Sequence, residues 1–80
     1  MGGRCMALAS IQLNTISEVK EFNHIAEGIA GDVDLRSGKY CVDAKSIMGI
    51  FSLNLGRILT VESTALSQEE LNQKFAAFLV

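Results

Sequence analysis

Four short segments of the chain alternate between hydrophobic and polar residues, which is the period of a strand with one buried face. The dipeptide Ser37-Gly38 separates the second segment from the third and supplies a turn in which glycine accepts a positive φ. The fourth segment runs from Ile58 to Glu62. The alternating hydrophobic residues are Ala9, Ile11 and Leu13 in the first segment and Val33 and Leu35 in the second. In the third segment Tyr40, Val42 and Ala44 share one face, and in the fourth Leu59 and Val61 are predicted to face inward.

Three further segments place hydrophobic residues at helical spacing. Two of them begin with a capping box, Thr15 to Glu18 and Ser67 to Glu70, in which hydroxyl and carboxylate each bond the other residue's backbone N–H. The first helix is predicted from about Ile16 to Gly28, and the second from about Ile47 to Asn54 behind Ser46 as its N-cap. The predicted stop signals are Gly28, Gly31 and Gly56. The apolar stripes are Val19, Phe22, Ala26 and Ile29 in the first helix and Leu71, Phe75, Phe78 and Leu79 in the last.

The predicted order of elements is strand, helix, strand, strand, helix, strand, helix. Strands with one buried face predict an antiparallel sheet whose other face meets water, with the helices packed on the buried side. The expected fold class is therefore α+β, an open-faced β-sandwich with a four-stranded antiparallel sheet and three helices on one face. Eighty residues without an internal repeat or a low-complexity linker predict a single domain over 1–80, in which residues 1–5 form a disordered leader.

The composition narrows the classes of function. With 49% hydrophobic and 20% charged residues, the chain is typical of a globular domain. A net charge of −2 gives no electrostatic reason to expect nucleic acid or an anionic membrane as a partner. No apolar run approaches the roughly 18 residues that a membrane-spanning helix needs. Met1 to Arg4 is not followed by the apolar stretch of a signal peptide, so the expected compartment is the cytoplasm.

The chain holds two cysteines, Cys5 and Cys41, and one histidine, His24. In a cytoplasmic protein the cysteines are expected to be reduced; the alternative is a disulfide between them. One histidine with two scattered cysteines is a poor set of zinc ligands, and the sequence has no Cys-x-x-Cys motif. We therefore expect no metal ion and no cofactor.

The segment Ala44 to Gly56, with the core Lys45-Ser46-Ile47-Met48-Gly49, resembles the second-helix segment of HPr, the histidine-containing phosphocarrier of the bacterial sugar phosphotransferase system. The resemblance covers most of the chain, from Ile11 to Val80, and implies the open-faced sandwich with its strands in the order first, fourth, second, third. It also implies regulatory phosphorylation at Ser46 and a partner-binding surface around the second helix. The alternative for Ser46 is that it serves only as a helix cap.

The chain departs from this resemblance at the start of the first helix. HPr proteins carry a phosphorylated histidine there, in a His-x-Arg-Pro stretch, whereas Leu13 to Glu18 contains no histidine, arginine or proline. A gapless alignment puts Thr15 at the phosphohistidine position, and the strand pattern through Leu13 indicates a shortened loop. Phosphoryl transfer needs an exposed imidazole nitrogen and donors that hold three phosphoryl oxygens. We therefore predict a divergent HPr-like protein with no catalytic residue and no enzymatic activity.

His24 is the alternative phosphorylation site. It projects from the polar face of the first helix, at a mid-helix position without the free N–H groups of a helix start. Its helical neighbours Lys20, Glu21 and Glu27 favour the interpretation of a solvated surface histidine. The competing hypothesis is a functional phosphocarrier of the phosphoenolpyruvate-dependent phosphotransferase system that uses His24 or a histidine of another protein.

The second helix carries two apolar sets that point in different directions. Ile50 and Leu53 project one way. Ile47, Met48 and Phe51 project roughly 130° around the helix, by the angle of about 100° between successive residues. Because one side of a short helix faces the sheet, these three are predicted to form an exposed, partner-binding surface. The expected partners are phosphotransferase-system or transcription-regulatory proteins, and the expected state is a monomer or weak homodimer. A third hypothesis is a self-associating structural module that retains only the fold.

Overall fold

A computed structural model of the chain describes residues 6–80. The strands are β1 (Ala7–Gln12), β2 (Val33–Ser37), β3 (Tyr40–Asp43) and β4 (Ile58–Ser63), and the helices are α1 (Ile16–Glu27), α2 (Ile47–Phe51) and α3 (Gln68–Lys74). The predicted leader, residues 1–5, lies outside the described residues, and so does the disulfide alternative, which needs Cys5. Cys41 is an exposed free thiol. Within residues 6–80, no helix has the length and apolar character needed to cross a membrane.

The four strands form one antiparallel sheet in the order β1-β4-β2-β3. The predicted α+β open-faced sandwich is confirmed in its element order and in its strand order. Leu35 pairs with Val61 on one side and with Val42 on the other, so hydrophobic residues of three strands lie side by side on one face. Gly38 has a φ of 58° in the turn between β2 and β3, as the Ser37-Gly38 pattern predicts.

The helices bury their apolar stripes against the hydrophobic face of the sheet. All four residues of the predicted α1 stripe are buried. The Phe22 ring lies 4.9 Å from the Phe75 ring and 5.9 Å from the Phe78 ring, measured between centroids. Aromatic pairs at such separations contribute about 0.5–1.5 kcal/mol each beyond the burial of their area. Phe22 therefore joins α1 to the residues that follow α3 at the centre of the core.

α2 is shorter than predicted. It ends at Phe51, and the Oγ of the next residue, Ser52, donates a hydrogen bond of 2.6 Å to the carbonyl oxygen of Gly49. This hydroxyl satisfies a carbonyl at the helix end, while the predicted stop, Gly56, has a φ of 86° in the loop before β4. Tyr40, which alternation places on the same face of β3 as Val42, lies beside the turn on an edge strand and is 71% exposed.

The last helix also differs from its prediction at its end. α3 stops at Lys74 because the backbone of Phe75 leaves the helical conformation, at φ −108° and ψ 22°. A 3₁₀ turn, Ala76–Phe78, follows. Leu79 is then extended and pairs with Ile11 of β1, so it leaves the predicted apolar stripe and is 39% exposed.

The outer edge of β1 is covered by residues from the end of the chain. The side-chain amide of Gln68 accepts a hydrogen bond of 3.0 Å from the N–H of Leu8 and donates one of 2.6 Å to the carbonyl oxygen of Leu8. The N–H of Val80 donates to the carbonyl oxygen of Ser10 at 3.1 Å. These contacts satisfy backbone groups that an edge strand otherwise leaves open.

The open face of the sheet carries charged residues in register. Glu62, Asp34 and Asp43 lie side by side on β4, β2 and β3. Arg36 Nε donates to Glu62 Oε2 at 2.7 Å. Partial burial, and next the charges of Asp43, Asp32 and Glu62, raise the pKa of Asp34. This row is therefore acidic, in contrast to the apolar face that the helices cover.

Candidate functional site

α2 begins at Ser46, which is exposed and whose side chain accepts a hydrogen bond of 3.3 Å from the N–H of Gly49. Asp43 fixes the approach to this cap. Its carbonyl oxygen accepts from the N–H of Ser46, and its carboxylate accepts from the N–H of Lys45, both at 2.9 Å. The predicted cap is therefore confirmed, and it is held by an aspartate that the sequence pattern did not single out.

Gly49 explains why α2 starts without a capping box. A Cβ atom at this position would lie 3.3 Å from the Cβ of Val42 and 3.4 Å from the Oγ of Ser46, which is tighter than an ordinary contact. The glycine thus allows α2 to lie close to β3. It also leaves the third helical position without a carboxylate that could reach back to the cap.

The two apolar sets of α2 differ in exposure as the angular argument predicts. Ile50 is 0% exposed and Leu53 is 7% exposed, whereas Met48 is 75% exposed and Phe51 is 38% exposed. Ile47 departs from the prediction, because it is half-buried and packs against the core. We call the exposed parts of Ile47, Met48 and Phe51 the α2 surface.

The start of α1 is closed by its own capping box. The Oγ1 of Thr15 accepts from the N–H of Glu18 at 3.1 Å. The Glu18 carboxylate accepts from the N–H groups of Thr15 and Asn14, at 3.2 and 2.9 Å. The ionised carboxylate thus lies beside Thr15, and its negative charge would repel a phosphoryl group there.

The loop before this cap is short. β1 ends at Gln12, one residue before the predicted end, so Leu13 and Asn14 alone connect it to Thr15. Leu13 is 0% exposed, and its carbonyl oxygen accepts from the N–H of Gly56 at 2.8 Å. Gln12 Nε2 donates to the carbonyl oxygen of the same glycine at 2.7 Å. These bonds fix the loop against the segment before β4.

His24 is exposed and lies in the last turn of α1, which corrects the predicted mid-helix position. The carbonyl end of a helix carries partial negative charge, so it disfavours a phosphoryl group. His24 is also nine residues from Thr15, which corresponds to about 13 Å along the helix axis. The described residues thus do not bring these two candidates together.

Asn23, which was not predicted as a site residue, links α1 to the approach of α2. It is buried, and its Nδ2 donates a hydrogen bond of 3.2 Å to the carbonyl oxygen of Ala44. The feature of the sequence that could have indicated it is its position, since Asn23 is a polar residue next to Phe22 at the margin of the apolar stripe of α1. Asn23 and Asp43 together position the segment on which Ser46 and the α2 surface lie.

The candidate site therefore consists of an exposed hydroxyl, Ser46, beside an exposed apolar surface on a short, well-positioned helix. Comparison of the chain with protein-family models, with curated proteins and with solved structures found no match. A function for the chain is therefore inferred from the chemistry and exposure of these side chains.

Proposed function

We propose that this chain is a regulatory protein-binding module that binds partner proteins through the α2 surface. The observation that carries the proposal is the contrast within five residues of helix: Met48 is 75% exposed, whereas Ile50 is 0% exposed. Exposed methionine and phenylalanine side chains suit an adaptable contact with another protein. The proposal includes a bacterial, cytoplasmic setting, which the resemblance to HPr supports.

Binding is tested by retention of partners from a bacterial cytosol on immobilised protein. Met48→Lys should abolish retention of specific partners that wild type holds. Leu8→Lys is the matched control, because Leu8 is also an exposed apolar residue, at 47%, but lies on the open face beside Glu62. Equal retention by both variants and wild type would contradict the proposal.

Self-association is the second candidate, since a second copy of the chain could also cover the α2 surface. Light scattering after size exclusion measures the mass in solution directly. A monomeric mass for wild type supports binding of other proteins. A dimer that Met48→Lys dissociates, together with no retained partner, favours the structural module instead.

The proposal also holds that the chain is not a histidine phosphocarrier. Thr15 has no imidazole, no arginine lies near it in the sequence, and the Glu18 carboxylate places a negative charge beside it. Incubation with enzyme I and phosphoenolpyruvate should leave the chain unlabelled while an ordinary HPr is labelled in parallel. Thr15→His should not restore efficient transfer, because the longer loop and the arginine of HPr would still be absent. An acid-labile phosphoryl group on His24 that depends on enzyme I would refute this.

Regulation at Ser46 is the further part of the proposal. Ser46 is exposed, and a phosphate at a helix start is tolerated because it meets the positive end of the helix dipole. Incubation with an HPr serine kinase and ATP should add one phosphate at Ser46, detected by mass spectrometry of the peptide. Absence of modification, with ordinary HPr phosphorylated in the same tube, would count against it. Ser46→Asp keeps a capping oxygen and tests the effect of charge on partner retention.

A further inference from the structure

The two edges of the sheet are treated differently by the rest of the chain. β1 is covered by Gln68 and Val80, whereas β3, the opposite edge, pairs only with β2 among the described strands. An uncovered edge presents backbone N–H and C=O groups with which another strand can pair. The position of β3 therefore raises the question of what its edge can bind.

The hydrogen bonds of the β2–β3 ladder identify which groups of β3 are open. The N–H of Ala44 donates to the carbonyl oxygen of Val33 at 2.9 Å, so these two residues form a hydrogen-bonded pair. Hydrogen-bonded and non-bonded pairs alternate along an antiparallel ladder, so Leu35 and Val42, two residues further, are also hydrogen-bonded to each other. Cys41 and Asp43 consequently direct their backbone groups outward. The Asp43 carbonyl oxygen is taken by Ser46. Within residues 6–80, the N–H and C=O of Cys41 and the N–H of Asp43 have no hydrogen-bond partner.

A groove follows this edge. One cavity of about 410 Å³ is lined by the last residue of β2, by three residues of β3 and by the segment after α2: Ser37, Tyr40, Cys41, Val42, Ser52, Leu53 and Asn54. Successive side chains of a strand point to opposite faces, so a cavity that Tyr40, Cys41 and Val42 all line runs along the strand edge. A second cavity of about 380 Å³ shares Ser37, Tyr40 and Asn54 with the first and continues it towards the β2–β3 turn.

The charge of the groove is opposite to that of the whole chain. Lys39 and Arg57 both line the second cavity, and no carboxylate lines either cavity. Among the described residues the ion pair is Arg36 with Glu62, which leaves both groove cations without an acidic partner. The chain as a whole has a net charge of −2. The acidic residue of the β3 edge, Asp43, lines neither cavity and lies at the other end of the strand. The two unpaired cations therefore complement acidic residues of an extended ligand at the turn end of the edge.

We propose that the β3 edge and its groove bind an extended acidic peptide segment of another protein, which adds to the sheet as a further strand. The backbone groups of Cys41 and Asp43 supply the main-chain hydrogen bonds, and Lys39 and Arg57 hold carboxylates of the peptide. This site is separate from the α2 surface, since neither Met48 nor Phe51 lines the groove. The two proposals therefore concern different surfaces, and each can be tested without the other.

The chain carries a built-in reporter of this site. Tyr40 is its only tyrosine, tryptophan is absent, and Tyr40 lines both cavities. Titration with the blocked peptide Glu-Val-Glu-Val-Glu should change the tyrosine fluorescence saturably, whereas Gln-Val-Gln-Val-Gln should bind at least about fivefold more weakly at low salt. Equal binding of the two peptides, or no change with either, overturns the proposal.

Two sets of variants separate charge from position. Lys39→Gln with Arg57→Gln should weaken binding of the acidic peptide about tenfold, because two exposed charge contacts are lost. Lys20→Gln with Lys74→Gln removes the same charge elsewhere on the chain and should change affinity less than about twofold. If both double variants weaken binding equally, the effect depends only on net charge, and the proposed site is wrong.

Pairing with the strand edge is tested on the peptide, so that the protein fold is not disturbed. Two acidic peptides are N-methylated, one at its odd residues and the other at its even residues. An added strand directs alternate N–H groups to β3, so one of the two should lose binding and the other should keep it. Retention of binding by both peptides contradicts strand addition. A concentration-dependent change of tyrosine fluorescence without peptide, together with a dimeric mass, would assign the edge to a second copy and overturn the proposal.

Discussion

α1 and α2 contact each other and both begin at an exposed hydroxyl cap, yet their outer faces differ. α1 has 12 residues, and apart from Ile16 in its first turn its exposed side chains are polar or charged. α2 has five residues, buries only Ile50, and exposes Met48 and Phe51. Two helices in the same environment thus present opposite surfaces to the outside.

This difference shows that the residues that stabilise a helix are distinct from the residues that it exposes to solvent. Isolated helices shorter than about 12 residues are marginal in water, so α2 depends on tertiary packing of Ile50 and on its caps. Met48 contributes little to that packing, because the residue is 75% exposed. The exposed residues of α2 are therefore not needed for its stability and are available to bind a partner. The exposed residues of α1 are mostly polar or charged, as is usual for a helix that faces water.

The largest effect should come from exchanging the two faces of α2. Ile50→Asp buries an unpaired charge and should destabilise the domain by more than about 4 kcal/mol, which is enough to unfold a domain of this size. Met48→Asp should change the free energy of unfolding by less than about 0.5 kcal/mol, as exposed substitutions usually do. Urea unfolding followed by circular dichroism measures both. If the two variants are equally destabilised in a monomer, the assignment of the faces is wrong.

A smaller effect should distinguish the two caps. Thr15→Ala removes the hydroxyl of a reciprocal capping box and should cost about 1–2 kcal/mol, whereas Ser46→Ala removes one hydrogen bond and should cost about 0.5–1 kcal/mol. Ser46→Asp, which retains a capping oxygen, should restore most of the loss. Urea midpoints of the three variants provide the comparison. A greater loss for Ser46→Ala than for Thr15→Ala would show that α2 depends on its cap more than α1 does.

The smallest effect should be on how stability depends on pH. A capping box contains a carboxylate that titrates, whereas the Ser46 cap of α2 is a hydroxyl. In α3 the hydrogen bonds from Ser67 lower the pKa of Glu70 below its usual 4.5. Stabilisation by the ionised carboxylate is therefore present above about pH 4.5 and is lost as the pH falls through the lower, folded-state pKa. Wild type should exceed Glu70→Gln in urea midpoint at pH 7, and the difference should shrink by pH 3. Ser46→Ala should differ from wild type equally at both pH values.

Hydropathy period and cap chemistry are local properties, and they predicted the elements that depend on local forces. The Thr15 and Ser67 capping boxes form as the sequence indicated, and the four alternating segments form strands. The order of those strands in the sheet is not a local property, and it was expected only from the resemblance to HPr. The ends of elements depended on distant partners instead. Leu79 leaves its helix to pair with Ile11, and α2 stops where Ser52 bonds back to Gly49, neither of which a periodicity registers.

The candidate site was predictable to a similar extent. The angle between side chains separates Ile50 from Met48, because it is a property of any helix. The same angle could not show that Ile47 is half-buried, since that depends on how α2 lies against the core. The groove was invisible in the sequence, because Lys39 and Arg57 are far apart in the chain and meet only through the fold.

Gln68 also limits how many molecules can join through their sheets. Growth of a filament by strand pairing needs two available edges on every subunit, in the way that a polymer needs bifunctional monomers. The side-chain amide of Gln68 occupies both backbone groups of Leu8, so β1 is blocked and each molecule is monofunctional. If a strand joins at β3 as proposed, β1 offers no second edge, so the association would end after one event and would not seed a fibril.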